Sequence, residues 1–234
     1  MKGNLAMKGK DIIWGLIILL ITSLIIIPAT RTLYEDFTIS FPYLSGFLKT
    51  AILATMGELL AKRIQTGNYF SGKGLAWRML IWGLLGMGFV LAFKVFSTGV
   101  VSAQSSGLLP SVSTENFFQS LLTAFLISFI MNLFFAPAFM IFHKVTDTFI
   151  DLGSGDMRKI IRIGFSKVIE TIDWKYFFTF VVLKTVPIFW IPAHTITFLL
   201  PENYRVLMAA YLSIVLGIIL SLSKRTKVKK ENKI

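Results

Sequence analysis

Six polar residues stand inside long apolar stretches of this chain: Lys49, Glu58, Lys94, Asn132, Lys184 and His194. An ammonium or carboxylate at bilayer depth is costly, so it normally faces a bundle interior, a wet cavity or a counter-charge. Groups of this kind bind solutes, line passages or gate them. Three lysines against one glutamate leave a net intramembrane charge of +2, which suits anionic small solutes.

The chemistry concentrates in Tyr176–Arg205, YFFTFVVLKTVPIFWIPAHTITFLLPENYR, which carries Lys184 and His194 and is interrupted by Pro187 and Pro192. At about 1.5 Å per residue, Lys184 lies about 13 Å beyond Lys175, near the middle of a core roughly 30 Å thick. It should therefore face the interior. Glu58, about 6 Å in from Lys62, meets Lys184 if their helices are neighbours; otherwise it bonds Lys62 at i+4. Lys49, Lys94 and His194 lie toward the other face and would form a cationic vestibule if they converge. Taken singly they have plainer uses: Lys94 can snorkel to the surface, and His194 can bond a carbonyl released by a kink. Asn132, just before Phe135-Ala136-Pro137, suggests a second broken helix, and paired broken helices point to a midplane site.

Other chemistries lack their residues. There is no cysteine, hence no thiolate site or disulfide. HExxH, GxSxG, Walker and GxGxxG patterns are absent from the sequence. His143 and His194 are the only histidines and are expected at opposite ends, so no metal site, cofactor or enzymatic activity is expected. Asp147, Asp151 and Asp156 read as a solvated turn.

The elements that must position these groups are membrane spans. The chain has 234 residues, 55% apolar and only 15% charged, with a mean hydropathy of +0.72. Apolar blocks predict six spans: Ile12–Thr30, ending near Pro28, then about Tyr43–Ala61, Trp77–Phe96, Phe117–Phe142, the Tyr176–Arg205 stretch, and Val206–Ser223. Ser113 and Thr114 are candidate N-caps of the fourth. The first resembles a signal peptide in its basic start, but its apolar run is too long, and it reads as a retained helix.

The 24 Lys and Arg residues decide the topology. Alternate connections hold 19 of them: Lys2, Lys8 and Lys10; Lys62, Arg63, Lys73 and Arg78; Lys144, Arg158, Lys159, Arg162, Lys167 and Lys175; and six in the tail. The opposite connections hold only Arg31 and Arg205. This alternation predicts an all-α, six-helix bundle with both termini cytoplasmic. It also explains the net charge of +12 without nucleic acid. After the Leu152-Gly153-Ser154-Gly155 turn, Met157, Ile160, Ile161, Phe165, Val168, Ile169 and Ile172 recur at helical spacing among basic residues. They predict a cytoplasmic amphipathic helix, with anionic lipids at the inner face as candidate partners, or a short helix docked on the bundle. Gly83, Gly86 and Gly88 fit close helix packing, or a thin wall beside a passage.

Several ordered motifs resemble the Mpv17/PMP22 family of integral membrane proteins. They are Phe41-Pro42; Met56-Gly57-Glu58 and Leu60; Arg78; Leu85-Gly86-Met87-Gly88-Phe89-Val90; Phe135-Ala136-Pro137; and Trp190-Ile191-Pro192, Thr197-Phe198, Pro201, Tyr204-Arg205 and Leu222-Ser223. Glu58 stands for the family's Asp, Ile191 interrupts its Trp-Pro, Thr197 replaces its Asn, and Leu91-Ala92-Phe93-Lys94 stands where its Gly-Pro and Trp-Tyr would be. The resemblance implies a prokaryotic-type member: an additional helix in 1–40, a family-like domain over 41–225 and a basic cytoplasmic tail at 226–234. Family members are usually described with four spans and are thought to act as channels or in metabolite handling. The expected function is an integral membrane channel or small-metabolite transporter for anionic solutes, with Lys49, Glu58, Lys94, Asn132, Lys184 and His194 lining the passage and Pro137, Pro187 and Pro192 breaking helices. The alternative is a structural or lipid-interacting membrane protein whose charges only fix packing. The expected location is a prokaryotic cell membrane, with an organelle membrane as alternative. The expected partners are the lipid bilayer, a small anionic solute and further copies of the chain.

Overall fold

The computed structural model describes residues 9–69, 74–112 and 116–231, with side chains of the last helix described through 219 and at Ser221. The described chain is all helical, with no strand. Six of its helical segments are long and apolar enough to cross a membrane, making this a multi-pass membrane protein.

Helix α1 spans Gly9–Ile26, and the extended backbone at Ile27 ends it. The stretch read as a loop is instead helix α2, Pro28–Ser40, followed by α3, Pro42–Thr66. Pro28 and Pro42 each open a helix in the first turn, where a missing N–H leaves no bond unmade. Gly67 closes α3 in the left-handed conformation, at φ 78°. Helix α4 covers Leu75–Ser105 and α5 covers Phe117–Leu152, both longer than expected. The N-cap of α5 is Asn116, whose side chain accepts from the Gln119 amide; Ser113 and Thr114 lie outside the described residues. Pro137 does not break α5, which runs on through it. One proline removes a single amide donor, and the turns on either side of it keep their bonds.

The fifth span, Trp174–Leu199, is also continuous but changes its winding. A single α-turn, α8 (Trp174–Tyr176), passes into a π-helical stretch, Phe177–Trp190, and then into α9, Ile191–Leu199. The Ile191 N–H donates to the Val186 carbonyl, five residues back. Pro187 lies inside the wider winding and Pro192 in the first turn of α9, so neither severs the span. Helix α10 runs Glu202–Glu231, which makes the backbone of the expected tail helical as far as Glu231.

The expected amphipathic helix is not one element. It is two short pieces, α6 (Met157–Ile160) and α7 (Phe165–Thr171). Gly164, extended at φ −66°, ψ 141°, separates them and has the weak helix propensity that favours a break. Val168 and Ile172 are buried, while Met157, Ile161 and Phe165 are exposed.

Helix α3 packs between α4 and α10, and α5 lies against α4 and α9. The α3–α4 crossing is close because a Cβ on Gly86 would stand 1.9 Å from Thr50 Oγ1 and 2.3 Å from the Gly46 carbonyl oxygen. Thr50 in turn donates to the Gly46 and Trp82 carbonyls, at 2.8 Å each. Helix α1 is tied in by polar bonds as well as apolar packing. Trp14 Nε1 donates to the Met56 carbonyl at 3.0 Å, and Arg63 forks onto Asp11 at 2.9 and 2.8 Å. The bundle thus has one basic end, where Asp11 meets Arg63, Gln65 meets Ser221, and Trp77 meets the Gly155 carbonyl. At the opposite end, α2 covers the start of α10.

Candidate functional site

Polar groups in the bundle occupy three levels. The first is a cavity of about 520 Å³ at the end away from the basic connections. Its charged lining is Lys49, Lys94, Arg205 and Glu202; apolar walls come from Ile39, Val90 and Phe93 among others. Lys49 rises from α3, donates to Thr38 Oγ1 at 2.9 Å, and lies 4.5 Å from the centre of the Tyr34 ring. Burial pushes the Tyr34 hydroxyl's pKa upward, so the ring stays a neutral phenol. Tyr34 is fixed by its bond to the Asn203 carbonyl at 3.1 Å and by stacking on Tyr204, which itself bonds Glu35. Arg205 donates to the Leu200 and Phe198 carbonyls, at 3.0 and 3.3 Å, and to Ser97 Oγ at 3.2 Å. Lys49 and Arg205 thus make their direct hydrogen bonds to neutral partners, with Glu202 sharing the cavity. Lys94 differs: it pairs with Glu202 at 3.0 Å across an exposed contact.

The second level lies at the bundle centre, in a small apolar cavity of about 60 Å³. Asn132 on α5 and His194 on α9 both line it and are both buried. Asn132 Nδ2 donates to the Ser128 carbonyl at 2.8 Å, which fixes the amide's orientation because a carbonyl only accepts. Its contact with His194 Nδ1 at 3.1 Å then makes Nδ1 the acceptor, leaving the ring proton on Nε2. His194 stacks on Trp190, with ring centres 5.1 Å apart, and meets Phe93 edge-on. It does not join Lys49 and Lys94 in the vestibule, and its partner is an amide rather than a carbonyl freed by proline.

The third level is at the basic end. Glu58 accepts from Trp82 Nε1 at 3.0 Å, and His143 Nε2 stands 3.4 Å from the same carboxylate oxygen. Neither expected partner, Lys184 or Lys62, is there. Arg78, buried on α4, reaches Asp147 and Asp151 at 2.5 Å each. These aspartates are therefore not a free solvated turn.

Lys184 is not brought into any of these levels. It lies exposed on the bundle's outer surface beside Leu183 and Ile188, which are 69% and 75% exposed, and has no hydrogen-bond or ion-pair partner among the described residues. The π winding sets Thr185 and Val186, rather than Lys184, toward the interior. Sequence reasoning missed Arg205, Glu202, Tyr34 and Thr38 at the vestibule, and Trp82, Arg78 and His143 around Glu58. A helical reading of Pro28–Ser40 would have found Tyr34 and Thr38 on one face at i+4.

Comparisons with known protein families, characterised proteins and solved structures found no match to this chain.

Proposed function

We propose that this protein is a passive channel or small transporter for small anionic solutes, and that the Lys49–Arg205 vestibule is where they enter. The observation that carries the proposal is the 520 Å³ cavity in which two cations, Lys49 and Arg205, are held by neutral groups. A cationic, low-dielectric recess concentrates anions. Below it, Phe93 and the Asn132–His194 pair occlude the path, so conduction requires these groups to move.

The charge alternation places the basic end in the cytoplasm and opens the vestibule outward, with both termini inside. Exposed Met157, Ile161 and Phe165 beside Arg158, Lys159 and Arg162 suit contact with anionic lipid at the inner face. The motif order supports kinship with the Mpv17/PMP22 family, and a prokaryotic cell membrane is the proposed location. Catalysis has no part in this proposal. The competing function is structural, with the charges serving packing alone; the ion pair of Lys94 favours that for Lys94 itself.

Reconstituted protein should release entrapped small carboxylates or phosphate from liposomes, and Lys49→Ala should slow that release. Absent flux, or flux indifferent to Lys49→Ala and Arg205→Gln, would favour the structural function.

A further inference from the structure

At the basic end, Glu58 from α3 and His143 and Asp147 from α5 bring one ligand atom apiece within 4.8 Å of one another. We infer that these three residues form a binding site for one first-row divalent cation of the Zn²⁺ or Mn²⁺ kind.

The spacing carries the inference. His143 Nε2 lies 3.4 Å from Glu58 Oε1 and 3.9 Å from Asp147 Oδ2. Both separations exceed those of a good charge-assisted hydrogen bond, about 2.7–2.9 Å. The shorter one matches an edge of a coordination polyhedron, since two ligands about 2.0–2.1 Å from a tetrahedral ion stand about 3.4 Å apart, and the longer one exceeds that edge by about half an ångström. The i,i+4 placement of His143 and Asp147 puts both on one face of α5, opposite Glu58.

The surroundings resemble an outer shell. Trp82 Nε1 donates to Glu58 Oε1, and Arg78 takes Asp147 Oδ1, which leaves Oδ2 on the His143 side. Such partners orient metal ligands. The Trp82 indole covers one side of the His143 ring, with centres 4.2 Å apart. Charge points the same way: Glu58, Asp147 and Asp151 against Arg78 and Lys62 leave −1 when His143 is neutral. A cavity of about 270 Å³ lined by Glu58, Arg78 and Asp151 provides an access path from the basic end. One imidazole with two carboxylates favours Mn²⁺, Fe²⁺, Co²⁺ or Zn²⁺ over the oxygen-only preference of Mg²⁺ and Ca²⁺. The ion would join α3 to α5. The inference does not depend on what, if anything, the vestibule conducts.

Detergent-purified full-length protein, stripped with chelator, is titrated with Co²⁺ and followed by its visible absorption. One equivalent should bind, with Zn²⁺ displacing it and raising the thermal midpoint. His143→Ala and Glu58→Gln should each weaken binding at least tenfold, while Glu170→Gln, at an exposed position of α7, should bind as wild type does. Because a substitution can also unfold the bundle, the wild-type titration is decisive by itself. No Co²⁺ binding near neutral pH overturns the site and leaves the cluster a proton-holding network. Binding unchanged in both ligand variants overturns it as well.

Discussion

The two ends of the bundle treat charge in opposite ways. At the vestibule, Lys49 leans on a hydroxyl and an aromatic face and Arg205 on carbonyls and a serine, and the one carboxylate of the cavity, Glu202, is paired directly with Lys94. At the basic end Arg78 is gripped by two carboxylates, and Glu58, His143 and Asp147 crowd one another. Neutral partners hold a cation in place while leaving it free to meet a solute; ionic partners consume it in structure.

The sharpest way to break that contrast is to remove the consumed cation. Arg78→Ala leaves Asp147, 20% exposed, without its guanidinium, while Asp151, 67% exposed, is solvated, so the loss lies at the low end of a broken buried pair, about 3 kcal/mol. The variant should lose its monodisperse elution and much of its thermal stability in detergent. If it unfolds like wild type, the basic end is not held as described.

Next in size is the packing that carries both ends. Gly86→Ala drives a Cβ into Thr50 Oγ1 and the Gly46 carbonyl oxygen, where backbone has to shift, at about 1–3 kcal/mol. Gly88→Ala meets nothing within 4 Å and should be neutral or slightly stabilising. Equal thermal midpoints for the two variants would show that the α3–α4 crossing is looser than its geometry implies.

Function should divide along the same line. Lys49→Ala should lower anion flux roughly tenfold, on the scale by which a focused charge raises local anion supply. Lys184→Ala should leave it nearly unchanged, because Lys184 faces outward. Reversal of that order would move the passage to the fifth span's outer face.

Much of this arrangement was legible in the sequence. Long apolar blocks disclose spans because a bilayer admits little else, and the six segments follow. What could not be read was azimuth. A change from α to π winding alters the angle per residue, and Lys184 turned outward where an interior position was expected. Helix α2 was hidden because its thirteen residues are too polar for a span and too short to stand out. The partners of Glu58 were illegible for another reason: Trp82 and His143 come from other helices, and no spacing along the chain announces a contact between α3, α4 and α5.

The smallest effect tests the comparison at its boundary. Lys94 belongs to the vestibule by position but to the basic end by style, since Glu202 neutralises it. Both side chains are mostly exposed, 64% and 60%, so solvent and salt screen the pair, and exposed pairs contribute about 0–1 kcal/mol. Lys94→Gln should therefore barely change stability. It should also unmask Glu202, adding a negative charge to the cavity rim, and so reduce anion flux modestly, by about twofold at low ionic strength and less at 0.5 M salt, where the Debye length falls to about 4 Å. Glu202→Gln should shift flux the other way. Liposome flux measured for both variants at two salt concentrations checks the sign: if the two move together, the rim charge is not sensed by the permeating solute.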